Sequence, residues 1–250
     1  MNDVCILRAH HLDCRVTEHR WAFEEARGAE IDAYWRERAA ANPALYDGRV
    51  LLANRVEQLE DEAGRATLRM SLFETRFSRF LAWRDFGFPD TGVYNCFAMA
   101  ALRSREGAFL LGEMSPSHSS AGKLYFPAGT PDPSDVLADG RVDMEGSLLR
   151  EFAEETGLDA GEGKFASGWT VVFERQRVAC MKTVDSREAS SAILARVRAF
   201  LAQEANPELS DALMVSRREQ LADPRIPRFM TAFLETALPA EQSEFERKAR

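Results

Sequence analysis

The sequence predicts an α+β protein. Three observations predict it. Apolar runs bounded by turn signals, Val93–Leu102 and Ala108–Leu111 about a Ser104–Gly107 turn, read as a buried hairpin. Apolar residues at helical spacing among charges, Trp21, Ala22, Ile31, Tyr34 and Trp35, read as an amphipathic helix over Thr17–Arg38. The composition, 250 residues of which 45% are hydrophobic and 16 are Phe, supplies a sizeable core and excludes a disordered chain.

The remaining elements follow from local patterns. Val4–Leu7 is a short apolar strand. Asn42-Pro43 ends the first helix, because the residue before proline is pushed out of the helical region. Arg49–Leu59 and Arg65–Phe73 flank Asp61-Glu62-Ala63-Gly64 as a hairpin, and Phe77, Phe80, Leu81 and Trp83 suit a short helix closed by Gly87-Phe88-Pro89. After the soft boundary near Asp90 come the two buried strands, a Ser/Pro/Gly loop (Ser115–Gly122), Leu124-Tyr125-Phe126, and a Pro- and Asp-rich loop from Pro127 to Gly140. A helix over Met144–Thr156, a strand pair at Trp169–Phe173 and Arg177–Thr183, a helix over Ser190–Gln203, a strand at Ala212–Val215 and a helix over Arg228–Leu238 complete the pattern. The expected organisation is an N-terminal subdomain (1–90), a core (91–240) and a polar tail (241–250).

Charge and cysteine usage narrow the function classes. With 32 basic against 40 acidic residues, a formal charge of −8 disfavours nucleic-acid wrapping. No window approaches the ~18–20 apolar residues of a membrane span. Polar residues and histidines stand where a secretory signal would be apolar, and four dispersed cysteines fit reduced thiols, so a cytoplasmic location is expected. Cys5, His10, His11 and Cys14 match no common zinc spacing and read as buried thiols and a polar strand end. His118 among serines shows no nucleophile-elbow pattern and reads as part of a flexible loop.

Chemistry concentrates in Arg150-Glu151-Phe152-Ala153-Glu154-Glu155-Thr156-Gly157-Leu158. At about 100° per residue, Leu148, Leu149, Phe152, Ala153 and Thr156 face a core, while Glu151, Glu154 and Glu155 gather on the opposite side. Like charges at i,i+4 repel, so the cluster makes sense around a divalent cation, and oxygen-only ligation favours Mg²⁺ or Mn²⁺. Arg150 is placed to hold a carboxylate, Asp143 is an N-cap candidate and Gly157 fits the helix C-terminus.

The full string resembles the helix signature of the Nudix hydrolases at every specified position, Arg150 to Leu158, preceded by a strand ending Pro127-Ala128-Gly129. The resemblance implies a Nudix-type α/β/α sandwich with a mixed sheet, elaborated by an N-terminal α+β region. It implies metal-dependent hydrolysis of a nucleoside diphosphate linked to another moiety. By the same resemblance Glu154 and Glu155 are principal metal ligands, Glu151 ligates metal or activates water, Arg150 orients, and the Ala128 carbonyl is a backbone metal ligand. Two departures stand out. Gly129 to Arg150 is seven residues longer than the family's spacing, the extra residues including Pro131, Asp132, Pro133, Asp135 and Asp139. The usual acidic residue before the arginine falls on Val142, with Asp143 or Glu145 as displaced substitutes.

A looser resemblance, carried by Asn42-Pro43-Ala44-Leu45-Tyr46-Asp47-Gly48 and the Pro-Asp-Pro box loop, is to UDP-sugar diphosphatase-type Nudix proteins. It implies UDP-sugar hydrolysis to UMP and sugar 1-phosphate, with coenzyme A or ADP-ribose diphosphatase and a non-catalytic nucleotide sensor as alternatives. The expected partner is a small nucleotide-diphosphate substrate, with no nucleic acid or membrane. Tyr46, Tyr94 and Phe97 are candidate base stackers; Lys123, Arg103 and Arg105 are candidate phosphate contacts. Glu174, Asp185 and Glu188 are candidates for one further acidic ligand.

Overall fold

A computed structural model describes residues 4–239; the expected polar tail over 241–250 lies outside them. The N-terminal strand β1 (Val4–Ala9) is followed by β2 (His11–Val16), α1 (Ala22–Ala41), the hairpin β3 (Arg49–Glu60) and β4 (Ala66–Arg76), and α2 (Phe77–Asp85). Next come β5 (Asn95–Arg103), β6 (Phe109–Met114), the two-residue strands β7 (Leu124–Tyr125) and β8 (Ala128–Gly129), and α3 (Met144–Thr156). β9 (Lys164–Phe165), β10 (Trp169–Glu174), β11 (Arg177–Asp185), α4 (Ser190–Leu201), β12 (Leu209–Val215) and α5 (Arg228–Ala237) complete the order.

The large sheet runs β1-β10-β11-β5-β6-β12, with β7 on β6, β8 on β5 and β9 on β11. Its one parallel pair along this order joins β5 to β11, so the sheet is mixed. β5 meets β6 only next to the turn, at Arg103↔Phe109, and farther along it pairs with β8 at Ala98↔Gly129 and Met99↔Ala128. The two apolar runs therefore diverge instead of forming a full hairpin. That divergence opens the sheet where the chain leads into α3.

Alternation along the strands divides the core between the two faces. On one face Phe97, Met99 and Met181 pack with Phe229, Met230 and Phe233 of α5. On the other, Ala98, Ala100 and Cys180 pack with Leu148 and Phe152 of α3 and Ile193 and Val197 of α4. The small sheet, β2-β4-β3, lays Leu51, Leu68 and Met70 into this second core. Its far face carries α1 and α2 through Trp21, Ile31, Phe80 and Trp83. Small residues along β5 let α3 lie close to the sheet. The expected α/β/α arrangement with an N-terminal α+β elaboration is what the chain forms.

Three details differ from the sequence reading. β1 is an edge strand of the large sheet, paired antiparallel with β10, so the chain crosses the boundary near Asp90. The polar stretch with Cys14 is a true strand, β2, lying parallel to β4. The first helix begins at Ala22 and kinks at Arg27, which has φ −120 and ψ 18, beside Gly28. The two units are joined by backbone: Ala53 N–H donates to the Tyr94 carbonyl at 2.9 Å and Tyr94 N–H returns a bond at 2.8 Å.

Cys5 lies exposed on β1, while Cys14 is buried in the other sheet, and His10 and His11 are exposed, so these residues do not form a zinc site. Burial pushes the Cys14 thiol up to about 12, and those of Cys96 and Cys180 well above the usual range. A thiol reagent at pH 8 is therefore expected to titrate Cys5 rapidly in the native protein and all four cysteines after denaturation. Fast reaction of Cys14, Cys96 or Cys180 in the folded state contradicts this packing.

Candidate active site

Local chemistry fixes α3. The Asp143 carboxylate accepts from Gly146 N–H at 2.9 Å at its start, and Gly157, at φ +66, closes it with its N–H on the Ala153 carbonyl at 2.8 Å. Leu148 and Phe152 anchor one face in the core. The glutamates then sit in the last two turns, where the helix dipole is negative and opposes them further.

They do not share one environment. Glu154 is 62% exposed. Glu155 is only 3% exposed: one carboxylate oxygen accepts from Ala128 N–H at 3.0 Å and the other is buried with no protein partner. Burial raises the Glu155 pKa well above the usual carboxylate range, partly offset by that N–H bond. Glu151 is half-buried, and its pKa rises to about 6 through burial, with Arg150 pulling down and Glu208 and Glu154 pushing up. Its side chain crosses Gly129 so closely that a Cβ there would lie 2.3 Å from Glu151 Oε1, which explains the glycine. Ala128 is not among the residues with positive φ, so alanine is accommodated without strain.

Arg150 ties the cluster together. It donates to Glu151 Oε1 at 2.8 Å and lies 3.5 Å from Glu154 Oε2. It also donates to both oxygens of Asp135, at 3.1 and 3.3 Å. Asp135 belongs to the extended box loop and is 6% exposed, with one oxygen also accepting from Asp132 N–H at 3.0 Å. The small sheet braces this loop: Leu51 N–H donates to the Pro131 carbonyl, Val16 N–H to that of Gly140 and Val142 N–H to that of Cys14. The displaced substitutes are used elsewhere, Asp143 as the cap and Glu145 in an ion pair with Lys182 at 2.8 Å. Val142 is core.

None of the three downstream acids reaches the site. Glu174 faces Arg177 at 3.8 Å, Asp185 pairs with Arg103 at 2.6 Å, and Glu188 pairs with Arg196. Glu208 does, from the residue before β12; burial and Glu154 raise its pKa. With Glu151, Glu154, Glu155 and Glu204 it lines an acidic groove of about 120 Å³. No spacing rule ties residue 208 to the α3 glutamates, because only the β6–β12 pairing brings it there.

Beside the carboxylates opens a cleft of about 300 Å³. Phe97, Tyr125 and Phe229 line it from the large sheet and α5, and Phe77, Phe80 and Arg84 from α2. His118, Ser119 and Ser120 close it from the Ser115–Gly122 loop. That loop is stitched to the N-terminal region: Asn42 Nδ2 donates to the Ser117 carbonyl at 2.6 Å and Arg84 to Ser119 at 3.3 Å. Asp47 accepts from Ser78 N–H at 2.7 Å and so fixes the start of α2. Of the candidate stackers only Phe97 lines the cleft; Tyr46 is 83% exposed outside it, and Tyr94 packs against the core. Lys123 donates to the Pro224 carbonyl, Arg103 pairs with Asp185, and Arg105 pairs with Glu106. The arginines lining the cleft are Arg84 and Arg177, which the sequence reading missed.

A mixed sheet between α5 and the α3/α4 pair, with the complete signature helix laid across the Ala128–Gly129 strand, decides the architecture. This is the arrangement that the Nudix resemblance implies. No family model matches the chain, and no curated protein matches it. Among solved structures, a MutT protein from Methanosarcina mazei Go1 aligns at 22% identity over 63% of this chain and 96% of its own, with a TM-score of 0.40. A Nudix hydrolase from M. smegmatis, RenU, aligns at 16% identity over 59% of this chain and 88% of its own, TM-score 0.37. A C. elegans Ap4A hydrolase in a binary complex aligns at 14% identity over 56% and 92%, TM-score 0.40.

Asp135 is the buried anchor of Arg150, so Asp135→Asn is expected to destabilise the protein by about 1–3 kcal/mol, the cost of a lost charged hydrogen-bond partner. A denaturant midpoint that falls at unchanged slope checks this, and an unchanged midpoint refutes it.

Proposed function

We propose that the chain is a Mg²⁺- or Mn²⁺-dependent Nudix pyrophosphohydrolase acting on a nucleoside diphosphate linked to a second moiety, with UDP-sugars as first-choice substrates. The observation that carries the proposal is Glu155, a buried carboxylate whose second oxygen has no protein partner, set among Glu151, Glu154 and Glu208. Such a group fits a hard divalent cation, which prefers carboxylate and carbonyl oxygen. Among the described residues the carboxylates do not already converge into a cage; Arg150 draws Glu151 and Glu154 to its own side. Glu155, Glu154 and the Ala128 carbonyl are the proposed principal ligands, with Glu151 and Glu208 alongside. Bound there, the cation would neutralise charge on the diphosphate oxygens.

The protein's own groups supply the rest. Glu151, half-buried and with its pKa near 6, is suited to accept a proton from the attacking water near neutral pH, and Arg150 holds its carboxylate in place. The aromatic cleft offers apolar faces for a base or sugar, and the N-terminal region, through α2 and the stitched loop, would influence substrate choice. Water adds to one phosphorus, the bond from the bridging oxygen to that phosphorus breaks, and a UDP-sugar yields UMP and sugar 1-phosphate. The loose resemblance at Asn42–Gly48 supports the UDP-sugar choice, and its residues Asn42 and Asp47 hold the loop and helix that border the cleft.

A Mg²⁺-dependent hydrolysis panel across UDP-sugars, ADP-ribose, coenzyme A and dinucleoside polyphosphates, with products identified, tests the proposal. UMP and sugar 1-phosphate are expected, and no turnover of any member would overturn it. Tight Mg²⁺-dependent nucleotide binding without product would instead favour the sensor. Glu155→Gln is expected to cut turnover by orders of magnitude. Without metal its melting temperature should equal or exceed that of the parent protein, because a buried carboxyl with an unpaired oxygen is replaced by an amide. Near-normal turnover in this variant would remove Glu155 from the site.

A further inference from the structure

One guanidinium lining the cleft donates no side-chain hydrogen bond. Arg177 starts β11 beside Asn95, its register partner at the start of β5. Its side chain is only 29% exposed, and the acid nearest it, Glu174, lies 3.8 Å away, beyond hydrogen-bond reach. Among the described residues no acceptor takes a hydrogen bond from its side chain. One face of the guanidinium is packed, its carbon 5.0 Å from the centroid of the Phe88 ring, which leaves the in-plane N–H fork for a ligand. Burial lowers its pKa most; Glu174 and Tyr125 raise it, and Arg84 and Arg175 lower it further, so the one nearby carboxylate is shared among several cations.

The backbone around this spot is strained. Phe88 (φ +62) and Arg175 (φ +53) are the non-glycine residues with positive φ among those described. They meet each other, with the Arg175 guanidinium 5.0 Å from the Phe88 ring and donating to the Gly87 carbonyl at 2.8 Å. Arg175 opens the two-residue turn that joins β10 to β11, where Glu174 pairs with Arg177, and such turns call for a positive φ. The two residues present the ring that supports Arg177. Tyr125, stacked on Phe229, and Asn95 line the same cleft.

We propose that Arg177, seated on Phe88 and flanked by Arg84, is an anion subsite that grips a phosphate group of the substrate bidentately. The proposal rests on the diphosphatase reading and deepens it. The phosphate comes either from the diphosphate itself or from a further phosphate on the substrate. Planar N–H pairs match phosphate oxygens, and burial away from solvent strengthens the pairing.

The test uses the whole 250-residue chain. Pyrophosphate binding, measured by calorimetry without added metal, is expected to weaken at least tenfold in Arg177→Gln. In Arg177→Lys, which keeps the charge and loses the fork, it should weaken at least threefold. In the presence of Mg²⁺, KM is expected to rise at least tenfold in Arg177→Gln while kcat stays within about threefold. A rise for every UDP-sugar assigns the subsite to the diphosphate; a rise confined to substrates bearing an extra phosphate assigns it to that group. If Arg177→Gln does not fold, Arg177→Lys decides alone. Pyrophosphate affinity equal to that of the parent protein in a folded variant overturns the subsite. The direct binding arm keeps the two readings apart, since it requires no turnover: a parent protein that hydrolyses nothing yet loses pyrophosphate binding in Arg177→Gln retains the subsite and loses the diphosphatase assignment.

Discussion

Like-charge crowding on the C-terminal half of α3 is the constraint around which the rest of the molecule is arranged. Carboxylates at i, i+3 and i+4 repel one another and the helix dipole, and one of them is driven into the protein interior. Each neighbouring feature answers that repulsion. The Ala128 N–H meets Glu155, Gly129 makes room for Glu151, and Arg150 spans Glu151 and Glu154. Arg150 in turn is set by Asp135, and the loop that carries Asp135 is hydrogen-bonded to β2 and β3. The N-terminal sheet thus reaches the carboxylates through a short chain of contacts, and the extended box loop has a structural role of its own.

The same N-terminal region shapes the cleft from the opposite side. α2 supplies Phe77, Phe80 and Arg84, and Asn42 and Arg84 hold the serine-rich loop that carries His118. Burial and Arg84 lower the His118 pKa, and its Nδ1 accepts from Ser120 N–H, so the neutral ring, with its proton on Nε2, is the favoured form. One wall of the cleft is therefore acidic and the other carries cations, an arrangement that suits an elongated anion lying between them.

Much of this was legible in the sequence because it is local. The α3 signature, its Asp143 cap and its Gly157 stop are set by neighbours within a turn or two. Helical spacing put Glu151, Glu154 and Glu155 near one another but set Glu155 opposite the core and Ala153 toward it, whereas Glu155 is buried and Ala153 exposed. The strand pair at β10 and β11 and the β3–β4 hairpin were legible for the same reason. What escaped was set by pairing between distant segments. Glu208 arrives through the β6–β12 register, Asp135 through a loop braced on another sheet, and Arg177 through the parallel β5–β11 pair. Nothing in the flanking residues distinguishes Arg177 from Arg103 or Arg105; only burial and the absence of an acceptor do. Val142 read as a lost acid; its side chain lies in the core, and Asp135, from the extended loop, is the buried acid that Arg150 meets.

The position of β1 bears on how the chain can be divided. Because Val4–Ala9 borders β10 along its whole length, the first residues of the N-terminal region protect the rim of the other unit's sheet. Cutting the chain near Asp90 would strip that cover and leave Trp169–Glu174, an apolar run, with a row of unpaired N–H and C=O groups. A bare strand of that kind recruits other strands, so the shortened protein would self-associate rim to rim. The N-terminal region guards solubility from its first strand as well as bordering the cleft from its second helix.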